Sequence, residues 1–283
     1  LQFAEELNER QNLFFAYDAG SYKGSDVFSP AYAYRAGEMV ATGKEVTADI
    51  VYNLGSIPDE HFKTKKAKIT NTPEFKNFCL SKSATAGYLS EFSPETFFVS
   101  NEKDFWSALN AIKTNTVVFK PDKGTNGEGV KIFKKNEAAL DEGMRTNLEA
   151  GAVLQEYVDT SAGIPGIASA HHDARLVTIN ERIVLIHVRI PAVGSLVANY
   201  AQGATIRELS EELLPEAVLS FYRRVHARVK ERFPNPMYSM DMGLSPRGPQ
   251  LFELNGHTAF PWPDFQCRNL FIQNLVAHLE SML

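Results

Sequence analysis

Cysteine is scarce in this 283-residue chain. Cys79 and Cys267 stand far apart without a metal-type spacing, which argues against a disulfide framework or a zinc site and reads both as buried thiols. A positive excess is missing too: 29 Lys and Arg against 34 Asp and Glu leave a formal charge of -5, so no overall field draws the chain to nucleic acid or anionic lipid. Long apolar runs are absent. The most apolar stretch, RIVLIHVRIPAVGSLVA, is interrupted by Arg189 and Pro191, and the N-terminus lacks a basic segment followed by an apolar core. These absences predict a cytoplasmic protein with no nucleic-acid and no membrane partner. Internal repeats and low-complexity segments are also lacking, and the 44% hydrophobic content is that of an ordinary globular chain.

What is present divides near Thr72. Residues 1–72 hold a helical start at Phe3–Glu9, the apolar run Leu13–Tyr17 and the strand-like DIVYNLG at Asp49–Gly55, a pattern that predicts a small α/β domain. The first residue is Leu1 rather than Met, which leaves room for upstream residues, a first strand among them. Ile57-Pro58 and the lysine-rich His61–Lys68 read as an exposed, solvated passage. Beyond it, NTPEFKNFCLSKSATAGYLSEF is helical material between turn residues. From Thr96 the order is strand (TFFVS), helix (DFWSALNAI), two strands (VVFKP, GVKIFKK), a helix around Ala138–Leu148 and a strand over Ala152–Val158. The remainder offers a hairpin (ARLVTI, IVLIHVRI), an amphipathic helix from Ser210 to Arg232, a second hairpin and a C-terminal helix reaching Leu283. Val225 and Val229, four apart, mark the buried face of the amphipathic helix, and the arginines of RRVHARVKER its solvated side. His171 and His172 are adjacent and point to opposite faces of a strand, which argues against a shared metal. FPWPDF, Phe260–Phe265, reads as core packing, with an acceptor-pocket wall as the alternative.

The second hairpin carries the strongest chemistry. In YSMDMGLSPRGPQLFELNG two strand-like runs flank SPRGP, a Pro/Gly-rich turn. Centring the hairpin on Arg247 makes partner numbers sum to 494, so Leu244 faces Gln250 and Asp241 faces Glu253. Asn255 joins that face because strand side chains alternate. Opposed carboxylates destabilise a sheet by roughly 0.2–1 kcal/mol unless a cation or proton sits between them. Asp241, Glu253 and the Asn255 carbonyl form an all-oxygen set suited to a hard ion such as Mg²⁺. A solvent-facing acidic hairpin is the alternative.

A second motif, FKPDKGTNGEGVKIFKK, has glycines at 124, 127 and 129. Gly129 is followed by Val130 and a strand, so the loop is not a P-loop, which needs a lysine there and a helix after it. A strand-loop-strand hairpin can still present backbone N–H groups to an anion, with Thr125 and Asn126 as added donors. A plain flexible turn is the alternative. Lys120 ends a buried strand, where an ammonium needs an anionic partner such as phosphate. On the next strand Gln155, Glu156, Tyr157 and Val158 combine polar groups with hydrophobic walls, as adenine recognition requires.

In this order the motifs resemble the ATP-grasp superfamily: K-P, glycine hairpin, Q-E-Y-V, D-x-R, a later Arg, an Asn, then Asp and E-x-N. They are most similar to the branch of glutathione-synthetase-like enzymes and the ligases that add glutamate to a ribosomal protein. The resemblance runs from about Asn71 to Phe260. It implies an α+β ATP-grasp fold in residues 73–283, with a lid lobe over about 95–158 and a metal-binding lobe over about 159–283, after a pre-ATP-grasp domain in 1–72. It further implies that Lys82 and Lys120 contact the nucleotide, that the Gly124–Gly129 loop closes over the phosphates, and that Asp159 touches the ribose. Asp173 and Arg175 match D-x-R, Arg189 matches the arginine facing the γ-phosphate, and Asn199 the asparagine ahead of a glycine-containing loop. That loop is reduced here to Gly203-Ala204.

The activity implied is an ATP-dependent carboxylate–amine ligase using Mg²⁺, with Mn²⁺ as a substitute, on small-molecule or peptide acids and amines. It would proceed through an acyl phosphate and release ADP and phosphate; a homodimer is compatible with this reading. The alternatives are a phosphotransferase acting on a small hydroxyl-bearing substrate and a non-catalytic nucleotide-binding module.

Overall fold

In the computed structural model, which describes residues 2–9, 15–16, 20–52, 66–125, 127–179, 181–192, 194–196, 203–258 and 260–283, the chain divides into two units. The first comprises residues 1–74, 179–184 and 259–283, and the second residues 75–178 and 185–258.

Short elements make up the start of the first unit: α1 (Gln2–Glu9), β1 (Phe15–Ala16), β2 (Tyr22–Gly24), β3 (Val27–Phe28), β4 (Tyr32–Arg35), β5 (Glu38–Ala41), β6 (Val46–Thr47), β7 (Ile50–Val51) and β8 (Lys68–Ile69). They pair as antiparallel ribbons in the orders β1-β4-β5 and β2-β3-β6, and as a parallel pair β7-β8. Most of Leu13–Tyr17, the end of DIVYNLG and the greater part of the lysine passage lie outside the described residues. The C-terminal helix, Arg268–Ser281, belongs to this unit and buries Phe271, Ile272, Leu275 and Val276. Phe260 sits 5.7 Å from Phe3 and 5.2 Å from Phe271, ring to ring, and so serves the core. Cys267, expected to be buried, is half-exposed instead, because it stands at the solvent-facing start of that helix between Gln266 and Asn269.

The second unit begins with α2 (Pro73–Leu80) and α3 (Lys82–Tyr88), broken where the Ser81 hydroxyl caps α3 by accepting from the Ala84 N–H. Then come β9 (Thr96–Val99), α4 (Glu102–Ala111), β10 (Thr116–Pro121), β11 (Lys131–Lys134), α5 (Glu142–Ala150) and β12 (Ala152–Glu156). These strands form an antiparallel sheet in the order β11-β10-β12-β9. The strand-helix-strand-strand-helix-strand order is the expected one, but α5 starts later than Ala138, after a 3-10 turn, because Asp141 caps it through the Met144 N–H. Val117, Phe119, Leu154, Phe105, Leu109, Met144 and Leu148 fill the core between this sheet and its two helices. By alternation, Val118 and Lys120 point to the opposite face.

A second sheet has the order β15-β14-β13-β16-β17, built from β13 (Asp173–Ile179), β14 (Arg182–Ile190), β15 (Thr205–Leu209), β16 (Met237–Ser245) and β17 (Gly248–Asn255). Strand β15 was not foreseen from the sequence. Helix α6 begins at Glu216 rather than Ser210, because Pro215 suits a helix start and not an interior. It buries Val218, Phe221, Tyr222, Val225 and Val229 at helical spacing. Its arginines are more than a solvated side: Arg224, Arg228 and Arg232 lie over the rings of Phe92, Tyr88 and Phe78 at 5.1, 4.4 and 5.5 Å.

The register of the β16-β17 hairpin also departs from expectation. Ser245 pairs with Gly248 and Gly243 with Gln250, one residue off the predicted register, because the turn is Pro246-Arg247 with Gly248 at φ 99°. A bulge beside Met242 then absorbs Phe252, and Asp241 pairs with Glu253 after all. Asp241 and Glu253 meet through two compensating irregularities rather than through one centred turn.

Candidate active site

Strand β10 supplies the first charged group. Lys120 is paired with Val153, which makes Gln155 its diagonal neighbour on the same face. The Lys120 ammonium donates to Gln155 Oε1 at 2.7 Å, and Gln155 Nε2 donates to Thr96 Oγ1 at 2.7 Å. Burial lowers the Lys120 pKa, Glu253 opposes that shift, and Lys82 adds to it. Its hydrogen-bond partner among the described residues is a neutral amide, so the ammonium's charge is not matched at contact distance.

The glycine loop follows directly. Gly127 and Gly129 both have φ near 70°, and a Cβ on Gly129 would stand 2.8 Å from Pro121 Cγ. At the root of the loop, Asp122 accepts from the Ser83 N–H at 2.7 Å and the Ser81 hydroxyl at 3.0 Å. Lys82 donates to the Gly124 carbonyl at 3.0 Å. The start of α3 and the base of the loop are therefore tied to each other.

At the far end of β12, Glu156 pairs with Arg247 at 3.0 Å. His172 accepts from the Leu244 N–H at Nε2, 3.1 Å, and its Nδ1 lies 3.2 Å from the Ala170 carbonyl. That pair of contacts suits the neutral Nδ1–H tautomer, and burial depresses its pKa. His172 is buried and His171 half-exposed, but both precede β13 instead of lying on a strand as expected. Thr160 Oγ1 ties to the backbone of His172, and Gly243 leaves the room that Thr160 and Phe252 occupy, since a Cβ there would lie 2.6 and 2.5 Å from them.

The densest electrostatics lie where β13, β14 and β16 run side by side. Arg175 binds Asp241 through two bonds of 2.6 Å, Nε to Oδ1 and Nη2 to Oδ2. Arg189 Nη2 bridges Asp173 at 2.5 Å and Asp241 at 2.9 Å. Burial opposes ionisation of Asp241, but Arg175 and Arg189 outweigh it and hold the pKa well below the usual carboxylate range. Burial pushes the Asp173 pKa up, against the pull of Arg189. Asn255 Nδ2 lies 3.2 Å from Glu253 and 3.4 Å from Asp241. Two atoms of the network, Asp173 Oδ1 and Arg189 Nε, are buried with no hydrogen-bond partner among the described residues. Among the described residues there is no cluster of three or more His, Cys, Asp or Glu side chains placed to hold a metal.

One open cleft gathers most of the predicted residues. From the first sheet and its loop come Lys82, Lys120, Gly124, Thr125 and Gly127. Gln155, Glu156, Tyr157 and Val158 form its inner end, and Arg189, Asp241 and Glu253 its floor. Gly129, Arg175 and Asn255 are not among the lining residues. Asp159 is turned away, its carboxylate accepting from the Ser161 N–H at 2.9 Å. Asn126 and Asn199 lie outside the described residues. Asp173, matched in the sequence only as the first residue of D-x-R, also lines the cleft, as do His172, Thr160, Ile132 and Phe252, which the sequence reading placed in no ligand contact. Only Asp173 left a signal, its two-residue spacing from Arg175 on one strand face.

No protein-family model matches the sequence, and no curated protein matches it. Solved structures do. A Chryseobacterium gregarium RiPP-associated ATP-grasp ligase, in complex with ADP and a leader and core peptide, superposes with a TM-score of 0.68 at 11% identity over 99% of this chain and 92% of that one. The chain has the ATP-grasp fold. D-alanyl-alanine synthetase A from Vibrio cholerae is similar at a TM-score of 0.63 and 12% identity, covering 96% of this chain and 83% of its own. The ATP-grasp ligase PsnB complexed with minimal precursor gives 0.61 and 12% over 98% and 93%. No described helix is long and apolar enough to cross a membrane.

Proposed function

We propose that the cleft binds ATP and that the chain is an ATP-dependent carboxylate–amine ligase working through an acyl phosphate. The observation that carries this reading is the convergence of an unmatched lysine ammonium, a glycine hairpin and an arginine–carboxylate cluster on one cleft of an ATP-grasp fold. Residues 73–283 then act as the ATP-grasp domain, with a lid lobe over about 95–158 and a metal lobe over about 159–283, and residues 1–72 as the domain before it.

The donor chemistry fits the expected groups. Asp241, Glu253 and Asn255 share one face and offer oxygen ligands, and the unpaired Arg189 Nε is a buried donor suited to a phosphate oxygen. Mg²⁺, or Mn²⁺ in its place, would be held by these three residues and would neutralise phosphate charge during transfer. Lys120 and Lys82 match the charge of the nucleotide phosphates, and the loop at Gly124–Gly129 presents backbone N–H groups over them. Tyr157 and Val158 supply the wall for the base. A substrate carboxylate oxygen bonds to the γ-phosphorus as the bond to ADP breaks. The amine nitrogen then bonds to the carbonyl carbon, phosphate leaves with the C–O electron pair, and the amine gives up a proton. Arg189, with Arg175 behind it, stabilises the negative charge that collects on the acyl oxygen. The molecules named with the neighbours, a leader and core peptide in complex with one and the D-alanyl-alanine of another's name, support acids and amines of amino-acid or peptide type.

Incubation with ATP, Mg²⁺ and a library of amino acids and short peptides should yield ADP, phosphate and a new amide by mass spectrometry. AMP and pyrophosphate as products would overturn the acyl-phosphate step. A stable phosphorylated product formed without an amine would make the protein a phosphotransferase.

A further inference from the structure

Both oxygens of the central metal-side carboxylate are already taken. Arg175 Nε and Nη2 hold Asp241 Oδ1 and Oδ2 at 2.6 Å each, and Arg189 adds a contact to Oδ2 at 2.9 Å. The Asp241 side chain is 2% exposed, so water offers no competing partner. Asn255 faces Asp241 and Glu253 with its Nδ2, and must turn its amide over before its oxygen can serve as a ligand. The neighbouring Glu253 has no arginine at contact distance among the described residues. Two cations thus occupy one carboxylate of the set, while the second stands open.

We infer that Arg175 and Arg189 are resident counter-cations of Asp241, so that the nucleotide-free chain excludes a divalent ion from this seat and accepts it only together with a polyphosphate. This rests on the ATP-site reading above and deepens it. The incoming phosphates compete for the guanidinium donors, as the unpaired Nε of Arg189 already allows. Each arginine drawn toward phosphate frees a carboxylate lone pair for the metal. Asp173, which holds the other side of Arg189 at 2.5 Å, keeps that guanidinium in reach of both partners. Metal and nucleotide loading are therefore linked through the same two side chains, and by reciprocity each raises the affinity of the other.

The test is Mn²⁺ binding to nucleotide-free protein, read from the free-ion EPR signal. The wild-type chain should bind Mn²⁺ weakly, and Arg175→Gln should tighten binding about tenfold or more, since a neighbouring unit charge changes a carboxylate's cation affinity by roughly 10- to 1,000-fold. Adding Asp241→Asn to Arg175→Gln should remove the gain. Arg189→Gln should also tighten binding and serves where Arg175→Gln does not fold. Unchanged or weaker Mn²⁺ binding in a folded arginine variant overturns the inference, as does micromolar Mn²⁺ binding by the nucleotide-free wild type. Mn²⁺·ATP titration of the wild type separates the two levels: no binding there removes the ATP-site reading itself.

Discussion

Acidification should unfold this protein in part through His187, and the share is calculable. His187 lies on β14, 9% exposed, in the field of Arg175 on β13 and Arg189 two residues along its own strand. Burial, then Arg175 and Arg189, depress its pKa from the ordinary 6.5 to about 3, with Asp241 pulling the other way. In the unfolded chain the ring titrates near 6.5, so above that pH both states are neutral and His187 contributes no pH dependence. Between pH 6.5 and 3 the unfolded chain binds a proton that the native chain refuses, and stability falls by about 1.4 kcal/mol per pH unit. The loss at pH 5 is about 2 kcal/mol, and at pH 3 about 4 kcal/mol. Urea unfolding at pH 7, 6 and 5 of wild type and His187→Gln isolates this contribution, because the other histidines are common to both. The variant starts lower at pH 7, and the gap should narrow by about 2 kcal/mol at pH 5. Parallel pH profiles would refute the assignment of a neutral, desolvated imidazole.

Three further outcomes follow from the same geometry. Gly129→Ala should lower stability by about 2–4 kcal/mol, a left-handed backbone penalty plus overpacking against Pro121. Gly124→Ala, with ordinary φ and its nearest neighbour at 3.7 Å, should cost little; equal urea midpoints for the two would overturn the packing argument. Lys120→Met should weaken Mg²⁺·ATP binding about 10- to 100-fold by calorimetry, the worth of a charge-assisted bond to phosphate, and a change below about threefold would move the phosphate contact elsewhere. Glu253→Gln should cut ADP release at least about tenfold while thermal unfolding shifts little, and undiminished release would remove Glu253 from the metal set.

Local patterns made much of the fold legible. The apolar residues of VVFKP gave a buried strand ending at Lys120, and the spacing of Val225 and Val229 gave the buried face of α6. The misplacements were also local in cause. The β16-β17 hairpin register was read from the centre of SPRGP, whereas a proline-led turn with Gly248 in the left-handed region shifts it by one, and the bulge that restores Asp241 opposite Glu253 has no composition signal. Cys267 was read from residue type alone, while its exposure depends on where a helix begins.

The electrostatics of the site were hidden for a different reason. The sequence reading treated Asp241 and Glu253 as two carboxylates in need of a metal, because on a two-stranded view nothing else lies between them. In the sheet, β13 runs between β14 and β16, so Arg175 and Arg189 arrive at Asp241 from strands more than fifty residues away in the chain. Removing Arg189 would leave the buried Asp173 without its contact cation, a loss of roughly 3–5 kcal/mol in comparable pairs, whereas removing Arg175 leaves Asp241 with Arg189. Asp241 is therefore a structural anion before it is a ligand. Its occupation by arginine gives the fold a compensated interior, and under the proposed metal loading it makes that step an exchange of cations rather than the filling of an open acidic site.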